Sequence, residues 1–359
     1  VTGFHFECDH ADHVAFGTEN MAAQSVLQIV NPFAVATVTR ALHEFRPDVV
    51  VVNMFAHHLS PAALLPLHGT PSVLLVSDYK CICPVGSKLL PDGTLCQDRP
   101  GTVCWKKGCT GLLHWMRDRP RYALLCSQLR QFRRIVACSD WVQTALKGHG
   151  IEAETLLLPT GNSSPEFRRA PASSPHLLFL GRLDREKGLD LLIRAFATAA
   201  DPADDATLRI AGQGPLRGEL ECLASDLGIG DRVTFLGWLD REGIERELAR
   251  AWALVVPSLW AEPLGLVAVD AVIHGVPVIA SEHGGLAEIV EPGISGLLFP
   301  NGDVAALAIR LKQILRREAF PDHLLPESVI ERARRRFDLA THVRDLRRIL
   351  VEAVRDRGQ

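Results

Sequence analysis

Two cations and two carboxylates stand out in this chain of 359 residues: Arg182 and Lys187 in "GRLDREKG", and Glu262 and Asp270 in "WAEPLGLVAVDAVIHGVPVIASEHGGLAEIV". The first loop lies between an apolar run and a helical pattern. A helix N-terminus already favours anions, so two cations beside one suit a diphosphate, and Gly181 lets the backbone come close to it. The plainer reading is a solvated loop in which Asp184 and Glu186 pair with the two cations, worth only ~0–1 kcal/mol. Gly212 and Gly214, in "AGQGP", follow another apolar run and mark either a close approach to a ligand or a simple turn. Pro263 and Gly265 predict a tight turn before a helix, with the N–H groups of Leu264 and Gly265 facing a ligand. Glu262 beside them can accept hydrogen bonds from sugar hydroxyls, or merely complement the helix dipole. With a helix starting near Leu264, Asp270 lies about two turns in. It is then too far along to share one small group with Glu262, and the pair would span a longer ligand. Val269 and Ala271 flank Asp270, and a carboxylate among apolar neighbours is costly unless it is used. Gly284 and Gly285 open a short helix, an anion-friendly geometry or a glycine turn.

These loops need strands to present them. "HLLFLGRL", "ATLRIAG", "RVTFLGW", "WALVVPS" and "PVIAS" are short apolar runs. They alternate with the helical patterns "KGLDLLIRAFATAA", "PLRGELECLASDLG", "REGIERELARA" and "GLVAVDAVIHG". Such alternation predicts an α/β domain with a parallel sheet covered on both faces. Earlier in the chain, "PDVVVVNMF" and "PSVLLVS" read as strands, "ATVTRALHEF" and "DWVQTALKGHG" as helices, and "LRQFRRIVACS" as a helix running into a strand. "PTGNSSPEFRRAPASSP" reads as a linker, and "LATHVRDLRRILVEAVRD" as an amphipathic final helix. Two parallel-sheet domains facing a cleft are expected, with ligands outside the carboxyl ends of the strands.

The totals agree with a two-domain globular protein. Apolar residues make up 47% and charged residues 23%, and the net charge of −3 gives no reason to expect a nucleic-acid partner. No apolar run reaches the ~18–20 residues of a membrane span. The first residues lack the basic-then-apolar order of a secretion signal. A cytoplasmic protein, compatible with peripheral membrane contact, is the expectation. Of the nine cysteines, five fall between Cys81 and Cys109. In a cytoplasmic chain that points to metal or inert thiols before disulfides.

In order and spacing, "GRLDREKG", "AGQGP", "EPLGLVAVDAVIHGVPVIAS" and "GGLAEIV" resemble the family-4 retaining glycosyltransferases, which have the GT-B fold of two Rossmann-like domains. The resemblance implies an N-terminal acceptor domain (1–165), a nucleotide-sugar domain (172–337) and a C-terminal helix (338–359) crossing back to the first domain. It implies a UDP- or GDP-sugar donor and a carbohydrate or lipid-linked acceptor, with no cofactor required for catalysis. Arg182 and Lys187 would neutralise the donor diphosphate. Glu262 would hold the donor sugar beside the amides of Leu264 and Gly265, and Asp270 would grip the ribose. Asp270 stands where the family has a glutamate, one methylene longer. The chain begins at "VTGFHFECDHADHVAFG", without the family's opening strand and glycine-pair loop, so an incomplete first domain is expected. His57 and His58 fall near the family's sugar-contacting histidine. The segment 78–110, beginning at Asp78-Tyr79, resembles a cysteine-bearing insertion of a subset of the family. It is expected to border the acceptor site near Asp78, with Cys83, Cys96, Cys104 and Cys109 as ligands of a structural zinc. Two alternatives stay open: a sugar-nucleotide epimerase of the same fold, and a catalytically silent nucleotide-sugar-binding subunit.

Overall fold

The computed structural model describes residues 26–53, 59–160, 167–201 and 205–356. The chain forms two compact units. One is Val1–Asp92 with Cys96–Leu156 and Arg344–Gln359, and the other is Gly93–Leu95 with Leu157–Val343.

The first unit contains α1 (Pro32–Phe45), β1 (Val50–Asn53), β2 (Ser72–Val76), α2 (Thr102–Lys106), α3 (Leu112–Leu129), β3 (Arg134–Ala137), α4 (Asp140–Gly148) and β4 (Glu154–Thr155). Its four described strands lie in chain order and all pair in parallel. Caps fix where its helices begin. Asn31 accepts a hydrogen bond from the Ala34 N–H with Pro32 at the first helical position, and Ser139 accepts from the Val142 N–H. The helix expected just before β3 in fact lies earlier. It is α3, which ends at Leu129 although Pro120 sits inside it. Proline removes an N–H and usually breaks a helix, which is why the pattern there does not read as one; here Pro120 is exposed.

The second unit contains β5 (His176–Leu180), α5 (Leu189–Ala199), β6 (Thr207–Ala211), α6 (Arg217–Asp226), β7 (Val233–Gly237), α7 (Arg241–Arg250), β8 (Ala253–Val256), α8 (Leu266–Ile273), β9 (Val278–Ser281), α9 (Leu286–Ile289), β10 (Gly296–Phe299), α10 (Val304–Leu315) and α11 (Glu327–Arg336). The sheet order is β10-β9-β8-β5-β6-β7, with every pairing parallel. All five residues of β5 and all four of β8 and of β9 are buried, as strands covered on both faces require. Leu192, Ile193 and Phe196 of α5 and Leu307, Leu311 and Ile314 of α10 share one core with Phe179, Ile210 and Val255 of the sheet. Each such side chain contributes about 1.5–3 kcal/mol on burial. The last described element is α12 (Leu339–Arg355). Its Ile349 and Ala353 pack in the first unit's core with Val73, Val136 and Leu156.

Arg169 and Ala170, which composition assigns to a linker, are instead bound into the second unit. The Arg169 guanidinium donates to the carbonyls of Leu248, Ala249, Ala251 and His323 at 2.6–2.8 Å. The Ala170 N–H donates to the Ala249 carbonyl at 3.0 Å.

A second polar anchor ties α7 to the sheet. Glu247 accepts from Arg209 at 2.7 and 2.8 Å and faces His176 Nε2 at 3.2 Å. Burial alone would raise this carboxyl, but His176 and Arg209 outweigh it and hold it down at about 2. A carboxyl lowered by folding contributes stability that is present above its unfolded value, near 4.5, and is lost as the pH falls towards 2. Glu247→Gln should therefore lose stability at neutral pH and flatten the loss between pH 5 and 2. Urea midpoints across that range check this, and parallel curves for the two proteins would refute it.

Candidate active site

The strand order of the second unit reverses between β5 and β8, and ligands of open α/β sheets bind outside the strand ends at such a point. The two loops that leave β5 and β8 there are "GRLDREKG" and "PSLWAEPLG", and they are locked together. The Leu259 N–H donates to the Glu186 carbonyl at 2.8 Å. A side chain at Gly188 would meet the Pro257 carbonyl oxygen at 2.1 Å, so only glycine lets the loops approach this closely. Across the junction Lys187 Nζ lies 2.6 Å from Glu262 Oε1, with both side chains largely buried. The same oxygen accepts from Ser258 Oγ at 2.6 Å, and the Lys187 ammonium lies 5.4 Å from the centre of the Trp260 ring.

The adjoining loops complete the rim. The Gly181 N–H donates to the Ala211 carbonyl at 3.0 Å and the Leu183 N–H to the Gln213 carbonyl at 2.9 Å, fastening the loop after β5 to the loop after β6. Gly212, at φ 141°, would place a side chain 1.8 Å from the Gly181 oxygen, and Gly214 would place one 2.3 Å from the Leu183 oxygen. These glycines serve loop-to-loop packing. The pair after β9 does the same. Side chains at Gly284 and Gly285 would strike the backbone of Ala261–Leu264, and the Gly285 N–H donates to the Glu262 carbonyl at 2.7 Å. The close partner of the glycine pair is thus the turn that carries Glu262.

Two of the four anticipated charged residues come together, and two do not. Lys187 and Glu262 are in contact. Arg182 shares the loop but is 68% exposed and pairs with Asp184 at 3.0 Å and Glu186 at 3.8 Å, as the plainer reading of that loop expected. Helix α8 begins at Leu266 with Gly265 as its cap at φ 88°, two residues later than expected, so Asp270 lies little more than one turn in. Leu264 is buried. Asp270 faces Arg241 at 3.5 Å, and burial raises its carboxyl despite the charge of Arg241.

Sequence reasoning passed over Ser258, Trp260, His283 and Asn301. His283 Nε2 and Asn301 Nδ2 both lie in hydrogen-bond reach of the Leu259 carbonyl, at 3.1 and 2.9 Å. Burial lowers the His283 imidazole, which favours its neutral form. His283 Nδ1 and Asn301 Oδ1 are buried without a hydrogen-bond partner among the described residues. The signal for Ser258, Trp260 and His283 was their place in the strand-end loops, once the switch point is known.

In the first unit, His57 and His58 lie outside the described residues. Asp78 Oδ1 accepts from the Lys80 N–H at 2.9 Å. Among the described residues no group of three His, Cys, Asp or Glu side chains is placed to hold a metal ion. Cys83, Cys96, Cys104 and Cys109 nevertheless lie near one another: burial raises the thiols of Cys104 and Cys109, and Cys83 and Cys96 add to the rise at both. Hydrogen bonds also order this segment. The Cys96 N–H donates to the Lys88 carbonyl at 2.7 Å and the Cys109 N–H to the Cys104 carbonyl at 2.9 Å, while Lys107 pairs with Asp98 at 2.6 Å. No described helix is long and apolar enough to cross a membrane.

Known proteins share this architecture. Sucrose-phosphate synthase from Thermosynechococcus elongatus superposes with a TM-score of 0.68 at 23% identity, over 89% of this chain and 77% of that one. Anabaena HepE in complex with UDP gives 0.65 at 22%, over 89% and 82%. The fold is thus GT-B, with two Rossmann-like units. In sequence, the phosphatidyl-myo-inositol mannosyltransferase of Mycobacterium leprae is 30% identical over 60% of this chain and 58% of its own length. The 2-deoxystreptamine glucosyltransferase of Streptomyces kanamyceticus is 36% identical over 39% and 36%. The chain thus spans between about a third and three-fifths of these relatives. Residues 163–336 match the family model of glycosyl transferases group 1, and the strand-end loops that bring Lys187 to Glu262 all lie within them: this part of the chain is similar to a group 1 glycosyltransferase domain.

Proposed function

We propose that the protein is a retaining, metal-independent glycosyltransferase that moves a sugar from a UDP- or GDP-sugar to a hydroxyl of a carbohydrate or lipid-linked acceptor. The observation that carries this reading is the buried Lys187–Glu262 contact at the sheet's switch point. Breaking the sugar–phosphate bond builds negative charge on the departing diphosphate. Lys187 stabilises that charge, together with the N-terminus of α5, which Gly188 caps at φ 64°. Glu262 accepts from hydroxyls of the donor sugar and, through Lys187, couples sugar binding to diphosphate binding. The acceptor oxygen bonds to the anomeric carbon on the face the diphosphate leaves, and its proton passes to the leaving phosphate. No protein nucleophile is needed. Asp270 receives the ribose diol, since its 3.5 Å contact with Arg241 is long enough to be exchanged. Anabaena HepE was solved with UDP and glucose together, which supports a nucleotide-sugar donor for this fold.

The test is a thermal-shift screen of nucleoside diphosphates and their sugars, followed by turnover with the donor that binds. Free nucleoside diphosphate should appear only with an acceptor present, at a rate unchanged by EDTA, and NMR should show the donor's anomeric configuration kept. Arg182→Ala should weaken donor binding by less than tenfold, because the exposed guanidinium acts through solvent. Release of nucleotide without acceptor would favour the epimerase, binding without turnover the silent subunit, and an EDTA-sensitive rate would overturn metal independence.

A further inference from the structure

The cysteine-bearing segment and α3 enclose a pocket of about 330 Å³ that the donor reading leaves unused. Trp115, Asp118, Arg119 and Tyr122 line it from α3. Their spacing of three and four residues puts all four on one helical face. Thr102, Cys104 and Thr110 of the segment form the opposite wall.

The wall is held in place. Trp115 Nε1 donates to the Gly101 carbonyl at 3.1 Å, and the Arg119 guanidinium lies 5.3 Å from the indole centre. Two acceptor atoms are poised for a ligand. Thr110 Oγ1 is buried with no hydrogen-bond partner among the described residues. Asp118 is 7% exposed, and both contacts from Arg117, at 2.9 and 2.8 Å, go to Oδ1. Its Oδ2 receives no hydrogen bond among the described residues. Buried polar atoms without partners are rare and costly, so Thr110 Oγ1, with the second carboxylate oxygen of Asp118 on the same pocket, calls for a hydroxyl-bearing occupant.

The local charge is positive. Asp118 and Tyr122 also line an adjoining recess with Lys80 and Arg121. Among the described residues, Arg119 of the pocket and Lys80 and Arg121 of the recess stand beside one lining carboxylate, Asp118, which Arg117 pairs. Asp78 stands further back and bonds the Lys80 backbone. Burial and the nearby Arg121 charge lower the Lys80 ammonium, as expected where two cations share a partly dry recess. Lys80 Nζ meets this partly by donating to the Val85 carbonyl at 2.9 Å.

From this geometry we infer that the pocket between α3 and the cysteine-bearing segment is a saccharide subsite for an acidic sugar of the hexuronate class. The inference rests on the glycosyltransferase reading and names the acceptor's chemistry. The pyranose ring lies against Trp115 and Tyr122, its hydroxyls bond Asp118 Oδ2 and Thr110 Oγ1, and its carboxylate meets the Arg119 side.

The experiment titrates the full chain with methyl glucuronide, methyl glucoside and inorganic phosphate, followed by ligand-observed NMR saturation transfer. Methyl glucuronide should bind, and methyl glucoside should bind at least tenfold more weakly. Arg119→Gln and Thr110→Val, chosen as one exposed and one near-isosteric change, should each weaken methyl glucuronide at least fivefold. Both variants should keep the nucleotide affinity of the wild type, which sets this outcome apart from failure of the donor reading. Equal binding of glucoside and glucuronide would overturn the acidic class. Competition by phosphate at the same concentration as glucuronide would reduce the pocket to a plain anion site. No saccharide binding while nucleotide still binds would overturn the subsite itself.

Discussion

Lys187→Ala should lower kcat/KM for sugar transfer by about 10²–10³, the usual cost of one lost donor to a developing oxyanion, and should destabilise the fold as well. The stability loss follows from what the substitution leaves behind. Glu262 is 6% exposed and would keep only the Ser258 hydroxyl on its Oε1. A buried charge stripped of its partner typically costs about 3–5 kcal/mol. Pairing the change with Glu262→Gln separates the two effects. The double variant carries no unpaired buried charge, so its urea midpoint should recover much of the loss. Its transfer rate should not recover, because the diphosphate still lacks its cation and the sugar its carboxylate. Unfolding curves and initial rates for the two singles and the double complete the cycle. A double variant that regained activity along with stability would show that the pair only holds two loops together.

That pairing marks where the sequence stops being readable. The strands β5, β8 and β9 are legible because each is a short apolar run fully buried in a parallel sheet, β6 because its apolar residues are, and the helices between them because they carry one apolar face. The charged residues are legible as candidates, since each falls at a strand end. Their partners are not. Arg182 and Lys187 are five residues apart with carboxylates at 184, 186 and 262 within the two candidate loops. Only the strand order, which sets β8 beside β5 rather than beside β7, sends Lys187 to Glu262 and leaves Arg182 with its own loop. The glycines are ambiguous for a related reason. A glycine before a ligand and a glycine before another backbone obey the same steric rule, and Gly284 and Gly285 answer to the turn after β8. The strand β10 escapes notice because four residues, "GLLF", carry too little pattern. Helix α3 escapes because Pro120 interrupts it, and with it went the helical face that now lines the acidic-sugar pocket.

The second large effect is expected at Gly285, and its cause is distance alone. Its φ of −61° suits any residue, so replacing it with alanine brings no backbone strain. The new methyl would instead lie 2.5 Å from Leu264 Cα, 2.7 Å from the Leu264 oxygen and 2.8 Å from the Pro263 oxygen. All three neighbours are backbone atoms, so no side chain can swing aside. Either the turn from Glu262 to Gly265 or the start of α9 must give way. Overpacking of this kind costs about 1–3 kcal/mol. The functional loss should be larger, because a shift of about 1 Å in a positioning element lowers rates by about 10²-fold. Gly285→Ala should therefore keep the fold, keep measurable nucleotide affinity and lose about 10²-fold in kcat/KM. Gly218→Ala is the matched control. It lies in α6 with open space around it, so it should stabilise by about 0.4–1 kcal/mol and leave the rate unchanged. Melting temperatures and initial rates of both variants decide the matter. If Gly285→Ala turned over sugar as fast as the wild type, the turn that presents Glu262 would have no part in setting the reacting geometry, and the role assigned to Glu262 would fall with it.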